Sequence, residues 1–221
     1  MKQAQPDLFD DAPLADGAVL LRGFAVGAAA ALIEAVPPIA KLAPFRHMVT
    51  PGGYAMSVAM TNCGRVGWIA DRRGYRYVTR DPATGNPWPA MPDSFRRLAV
   101  EAAAAAGYPR FAPDCCLVNR YAPGAKLSLH QDKDERDFGA PIVSVSLGLP
   151  AVFLFGGERR RDRPRRLRLR PRRPLRFGRM GMRSPVPSSG PSTALPRRMP
   201  MPSCGSASGW ARAMCSASSR P

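Results

Sequence analysis

The composition of this chain changes abruptly near residue 157, and that change limits how much of it can build a packed domain. Residues 1–157 hold 16 Lys+Arg and 14 Asp+Glu, whereas the last 64 hold 17 Arg, two acidic residues and no Lys. Nearly all of the formal charge of +17 on the 221 residues therefore sits in the second segment. That segment also contains no His, Asn, Gln, Tyr or Ile, and includes the run Arg159-Arg-Arg-Asp-Arg-Pro-Arg-Arg-Leu-Arg-Leu-Arg-Pro-Arg-Arg173. A stretch with so much like charge and no sustained apolar period cannot bury enough surface to offset the entropy lost on ordering. Residues 158–221 read as a basic low-complexity tail, with disorder expected from about Arg170 onward. Residues 18–157 read as one globular domain of ordinary charge, preceded by a flexible acidic leader over residues 1–17.

The N-terminus is polar and acidic, unlike a secretory signal. The alanine-rich run from Ala25 to Ala35 is interrupted by Glu34 and then Pro37-Pro38, and it is too short to span a bilayer. The five cysteines (63, 115, 116, 204 and 215) are odd in number and lack zinc spacing. No membrane association and a reducing cytoplasm are expected.

Within the domain, Ala18 to Phe24 suggests a strand and Val26 to Val36 a short helix ended by Pro37-Pro38. Pro51-Gly-Gly53 turns into a candidate strand from Tyr54 to Met60, and Gly74 to Val78 is another. Asp93 is expected to cap a helix over Ser94–Ala106, with Gly107 ending it. From Cys116 the pattern becomes β-rich, with strands expected over 116–121, 126–130, 142–147 and 151–155, punctuated by Gly and Pro as in an antiparallel sandwich or barrel. The fold class is α+β, mainly β.

The chemistry concentrates between Asn119 and Asp134. Asn119 and Tyr121 are two residues apart in an extended run, as are His130 and Asp132, and residues i and i+2 of a strand share a face. A His-x-Asp pair can supply two of the three ligands of a 2-His-1-carboxylate iron site. The third should be a histidine further along the chain, but the only other histidine is His47, upstream.

Residues 43 to 157 resemble the AlkB family of iron(II)- and 2-oxoglutarate-dependent nucleic-acid dealkylating dioxygenases. The resemblance rests on Pro44-Phe-Arg-His-Met-Val-Thr-Pro-Gly-Gly-Tyr54, Met56-Ser-Val-Ala-Met-Thr-Asn-Cys-Gly64, Trp88-Pro-Ala-Met-Pro92, the 119–134 segment and Ala140-Pro-Ile-Val-Ser-Val-Ser-Leu-Gly-Leu-Pro150. It implies a double-stranded β-helix, or jelly roll, using Fe(II), 2-oxoglutarate and O2 to strip N-alkyl groups from bases as formaldehyde. It implies His130 and Asp132 as metal ligands, and Asn119 and Tyr121 as hydrogen-bonding partners of 2-oxoglutarate. Trp68, Tyr75, Asp134 and Arg160 would line the site for a base flipped out of its stack. Alkylated single- or double-stranded DNA is the implied partner, with RNA as an alternative, and a monomer is expected. The blander readings stand beside these. Asn119 and Tyr121 read alternatively as a sheet-edge pair, Trp68 and Tyr75 as core aromatics, Asp134 as a loop charge, and Arg160 as one arginine of a run. His47 matches no ligand position and is read as structural.

After Phe155-Gly-Gly157 the chain departs from the family. The distal histidine and an Asn-x-Thr-Phe-Arg-like strand, whose region carries the arginine that anchors 2-oxoglutarate, cannot occur in a segment without His or Asn. The jelly roll is therefore expected to be incomplete in its C-terminal half and the activity impaired. An Arg/Pro/Ser/Ala/Gly-rich tail is what an out-of-frame reading of GC-rich DNA gives, so a shifted frame between Gly157 and Arg170 is expected. The alternatives to an impaired dioxygenase are a non-catalytic nucleic-acid binder and a non-functional product.

Overall fold

The computed structural model describes residues 12–15, 17–128, 130, 139–148, 151–156, 162–169, 175–178 and 210–216. The elements run β1 (Ala12–Ala15), β2 (Ala18–Arg22), α1 (Ala29–Glu34), α2 (Val36–Leu42), β3 (Arg46–Val49), β4 (Ala55–Gly64), β5 (Gly67–Asp71), β6 (Gly74–Val78), α3 (Asp93–Ala105), β7 (Cys115–Tyr121), β8 (Val143–Ser146), β9 (Ala151–Phe155), β10 (Arg165–Leu169), β11 (Leu175–Gly178) and β12 (Trp210–Ser216). Eight strands form one sheet in the order β1-β2-β11-β8-β12-β7-β4-β3, and β9-β10 and β5-β6 form two-stranded sheets of their own. Every strand pairing within and among them is antiparallel. The expected mainly-β class holds.

The helices cover one face of the large sheet. On α3, Phe95, Leu98, Ala99, Ala102 and Ala103 recur at helical spacing and are buried. They pack with Leu32, Ile39, Cys63, Cys116, Val118, Val143 and Val145. Burying the Phe95 and Leu98 side chains contributes on the order of 1.5–3 kcal/mol each. The opposite face of β4 contributes Val58 and Met60 to a second cluster with Ile69 and Trp88. Sheet β9-β10 closes over β1 and β2, where Leu14, Leu20, Phe153 and Phe155 meet.

Several expectations need correction. The helix foreseen over residues 26–36 is two short helices, and Pro37-Pro38 opens α2 rather than ending its predecessor. Proline is at home in a first turn because its missing N–H would have had no partner there. At the other end of α2, the Thr61 hydroxyl donates to the Ala43 carbonyl at 2.6 Å. Asp93 is the first residue of α3 and not its cap; Pro92 precedes the helix with no side-chain capping bond. Gly107 does end it, at φ 89°. Residues 126–128 and 130 lie outside any strand, so the strand expected over 126–130 is not formed at His130; Asp132 lies outside the described residues.

The leader and the tail also differ from expectation. Part of the supposed flexible leader, Ala12–Ala15, pairs with β2. In the tail, β10 pairs with β9, β11 lies between β2 and β8, and β12 lies between β8 and β7. The last two fall where disorder is expected. The physical reason is that strand addition uses backbone N–H and C=O groups, which every non-proline residue carries. The open edges of β7 and β8 are templates for any extended segment that reaches them.

Candidate active site

The faces of β7 divide its residues between two environments. Cys116 and Val118 join the helix-covered cluster, while Leu117 and Tyr121 pack on the opposite side with Val58, Met60, Ile69, Trp88 and Trp68. Asn119 alternates onto this second face and is fully buried. Its Cα lies opposite Met60 of β4 and Arg212 of β12. The Asn119 Oδ1 and the Tyr121 hydroxyl are both buried atoms. Two uncharged polar groups are thus presented one above the other inside the domain, where a buried polar atom is stable only when hydrogen-bonded.

The β5-β6 hairpin stands beside this face. Trp68 on β5 and Tyr75 on β6 stack with ring centroids 5.6 Å apart and planes inclined by 12°. They sit on a cross-strand diagonal, since Ala70 is the partner of Tyr75 and Trp68 that of Tyr77. Tyr75 is exposed and Trp68 partly so, which leaves aromatic surface open to solvent. The hairpin root is tied down at three points. Asn62 of β4 bonds the Trp68 backbone in both directions, at 2.9 and 3.0 Å. The Ala70 N–H points at the Met48 sulfur at 3.3 Å. The Trp88 Nε1–H donates to the Val78 carbonyl at 2.9 Å. Gly67 is required by space: a Cβ there would lie 2.4 Å from Trp88 Cε2 and 2.8 Å from Asn62 Cβ. The roles of Asn62, Met48 and Trp88 are tertiary, and no local pattern in the sequence marks them.

Two ion pairs frame the hairpin. At its tip Asp71 accepts both Arg76 guanidinium nitrogens, at 2.8 and 2.6 Å, and the Arg73 N–H at 2.8 Å. The Arg76 bonds, reinforced by the Arg73 N–H and both positive charges, outweigh desolvation and hold the Asp71 carboxyl well below the usual carboxylate range. Near the root, Asp81 is 1% exposed and paired with Arg46, whose guanidinium lies 5.4 Å over the Trp88 ring. Burial pushes the Asp81 carboxyl up, but the Arg46 hydrogen bond and charge, with the Ala83 N–H, carry the net shift downward.

Of the residues foreseen for metal, His130 is partly exposed, with Nδ1 3.4 Å from the Ser128 carbonyl. Asp132, Asp134 and Arg160 lie outside the described residues. His47 is exposed on β3, an edge strand separated from β7 by β4, and its Nδ1 is 2.8 Å from the Met56 carbonyl oxygen. Among the described residues no three His, Cys, Asp or Glu side chains cluster as a metal site would require. With two histidines in the whole chain, one of them on this outer edge, the donor set does not fit a complete 2-His-1-carboxylate centre. The buried amide and phenol of Asn119 and Tyr121 do fit a carboxylate-bearing co-substrate, because both side chains can donate to carboxylate oxygens.

No described helix is long and apolar enough to cross a membrane. The family model described as the 2OG-Fe(II) oxygenase superfamily matches residues 17–179. The chain is 64% identical over 168 residues to the alpha-ketoglutarate-dependent dioxygenase AlkB of Escherichia coli (strain K12), covering 74% of this chain and 78% of that protein. It is 34% identical over 122 residues to the DNA N(6)-methyladenine demethylase ALKBH1C of Arabidopsis thaliana, covering 47% of this chain and 27% of the relative. The solved structure of OsALKBH1 superposes with a TM-score of 0.69 at 23% identity, covering 95% of this chain and all of the other, which extends the likeness to the whole fold.

Proposed function

Because the chain belongs to the 2OG-Fe(II) oxygenase superfamily, we propose that it is an oxidative dealkylase of N-alkylated bases whose metal centre is one ligand short. The single observation that carries the reading is the fully buried Asn119 beside Tyr121 on β7, on the face that also packs Trp68. Fe(II), 2-oxoglutarate and O2 are the family's reagents, and when bound they supply the oxidation that turns an N-alkyl group into a formaldehyde-releasing adduct.

The residues of this chain have separable tasks. Asn119 and Tyr121 hold 2-oxoglutarate by hydrogen bonds to its oxygens. Trp68, with Tyr75 stacked behind it, offers a ring face to an extruded base; such stacking contributes roughly 1–3 kcal/mol per base. Asp134 and Arg160 complete the contacts to base and backbone. Arg72 and Arg73, exposed at the hairpin turn, meet phosphates. His130 and Asp132 are the two metal ligands in the chain. Loss of the third should weaken metal binding by at least the 10- to 100-fold that loss of a ligand's supporting contact costs. The catalytic unit includes the 17–179 span that the family model matches, acting as a monomer in the cytoplasm on alkylated single- or double-stranded DNA, with RNA as the alternative substrate.

The shortage of imidazoles favours a second reading, a nucleic-acid binder without turnover. Formaldehyde release from a 1-methyladenine oligonucleotide, with Fe(II) and 2-oxoglutarate supplied, separates the two. Slow release that His130→Ala abolishes supports the impaired dealkylase. Salt-sensitive binding with no release supports the binder, and release at the rate of a complete relative overturns the incomplete metal centre.

A further inference from the structure

Asn62 is a polar residue where an apolar one would be expected. It lies near the C-terminal end of β4, is fully buried, and its Cα faces Leu117 across the β4-β7 ladder. A buried amide is costly unless its donor and acceptor are both used. Here Nδ2–H donates to the Trp68 carbonyl at 2.9 Å, and Oδ1 accepts from the Trp68 N–H at 3.0 Å. The side chain therefore imitates the backbone of a neighbouring strand, and it does so for one residue of a hairpin that shares no ladder with the main sheet.

We propose that Asn62 is a positioning residue for recognition of the damaged base, setting the plane of the Trp68 ring; this rests on the reading of Trp68 as the stacking platform. Holding both backbone polar groups of one residue fixes the direction of its Cα–Cβ bond. Two side-chain torsions then remain, and the Tyr75 ring, 5.6 Å away and nearly parallel, restricts them. Gly67 enforces the contact from the other side, because any side chain there would collide with Asn62 and Trp88. The Met48 and Trp88 anchors act at Ala70 and Val78 and leave the Trp68 peptide to Asn62.

The test compares the full chain binding a single-stranded oligonucleotide carrying one 1-methyladenine with its binding to the unmodified strand, by fluorescence anisotropy. Phosphate contacts contribute equally to both, so the affinity ratio isolates the base pocket. Trp68→Ala should reduce that ratio roughly tenfold, within the range of base–aromatic stacking. Asn62→Ala should remove most of the same preference and have no further effect in the Trp68→Ala background. Asn62→Asp, which keeps the acceptor and the volume but not the donor, should fall between, and near-UV circular dichroism of the Trp68–Tyr75 pair should weaken in step. If Trp68→Ala leaves the ratio intact, the platform reading itself fails. If Trp68→Ala lowers the ratio and folded Asn62 variants do not, or if the two losses add independently, the positioning role is overturned.

Discussion

Ser57 and Lys126, 69 positions apart, exchange a reciprocal pair of hydrogen bonds: the Ser57 hydroxyl donates to the Lys126 carbonyl at 2.8 Å, and the Lys126 N–H donates to the Ser57 oxygen at 3.0 Å. One serine on β4 thereby anchors the irregular segment that leads to His130. Ser57→Ala should lower stability by about 1 kcal/mol, the net worth of an exposed hydrogen-bonded link. Urea denaturation measures that loss. Amide exchange at Lys126 should accelerate while the β7 amides stay protected.

Removing the cation from the Arg46–Asp81 pair should be far more damaging. Asp81 is 1% exposed, and a buried carboxylate left without its partner costs roughly 3–5 kcal/mol. Arg46→Ala should show this in thermal melts, and a large part should return in the double variant Arg46→Ala/Asp81→Asn, which leaves no charge behind. A simple sum of the single effects would mean that the two residues do not act as a pair.

The pH dependence follows from the same two carboxyls. Asp71 and Asp81 both have folded pKa values below their ordinary ones, so the unfolded chain binds protons that the folded chain does not. Their contribution is present above the unfolded value of about 3.9 and is lost as pH falls through the lowered folded values. Melting temperature should respond to these groups little between pH 7 and pH 5 and fall below about pH 4. Asp81→Asn should flatten the acid limb, and Asp71→Asn should flatten it less, because the hairpin tip is solvent-screened.

Deleting residues 210–221 takes β12 from between β7 and β8. Two internal strands then become edges, each with a row of unsatisfied backbone groups. Light scattering should detect association at concentrations where the full chain stays dispersed. A truncated chain that stays monodisperse with unchanged β-strand circular dichroism would show that the sheet does not depend on this strand.

Much of the frame was legible from local pattern. Gly74–Val78 and Ala151–Phe155 fall where expected, because short β-rich runs bounded by Gly and Pro carry their own punctuation. The buried face of α3 follows from apolar spacing, and Asn119 and Tyr121 share a face because β7 is a strand. What escaped is what depends on partners. Gly67–Asp71 has no clean alternation, and it becomes a strand by pairing with β6 and accepting Asn62. The 126–128 stretch looks extended, yet Lys126 bonds a serine side chain and Leu127 packs in an apolar cluster, and neither joins a neighbouring strand's ladder. In the tail, arginine-rich composition argued for disorder, while open edges elsewhere in the fold recruited three strands from it.

The placement of β12 has a kinetic corollary. Trp210 is opposite Tyr121 and Ser216 opposite Cys115, so the centre of the sheet is sealed only when the chain loops back over nearly half its length. Contacts so distant in sequence slow folding, because the loop must close before the pairing rewards it. Until then β7 and β8 wait open-sided, within reach of strands from other molecules. Refolding yield should accordingly depend on dilution, since the race is between one slow intramolecular return and many bimolecular collisions.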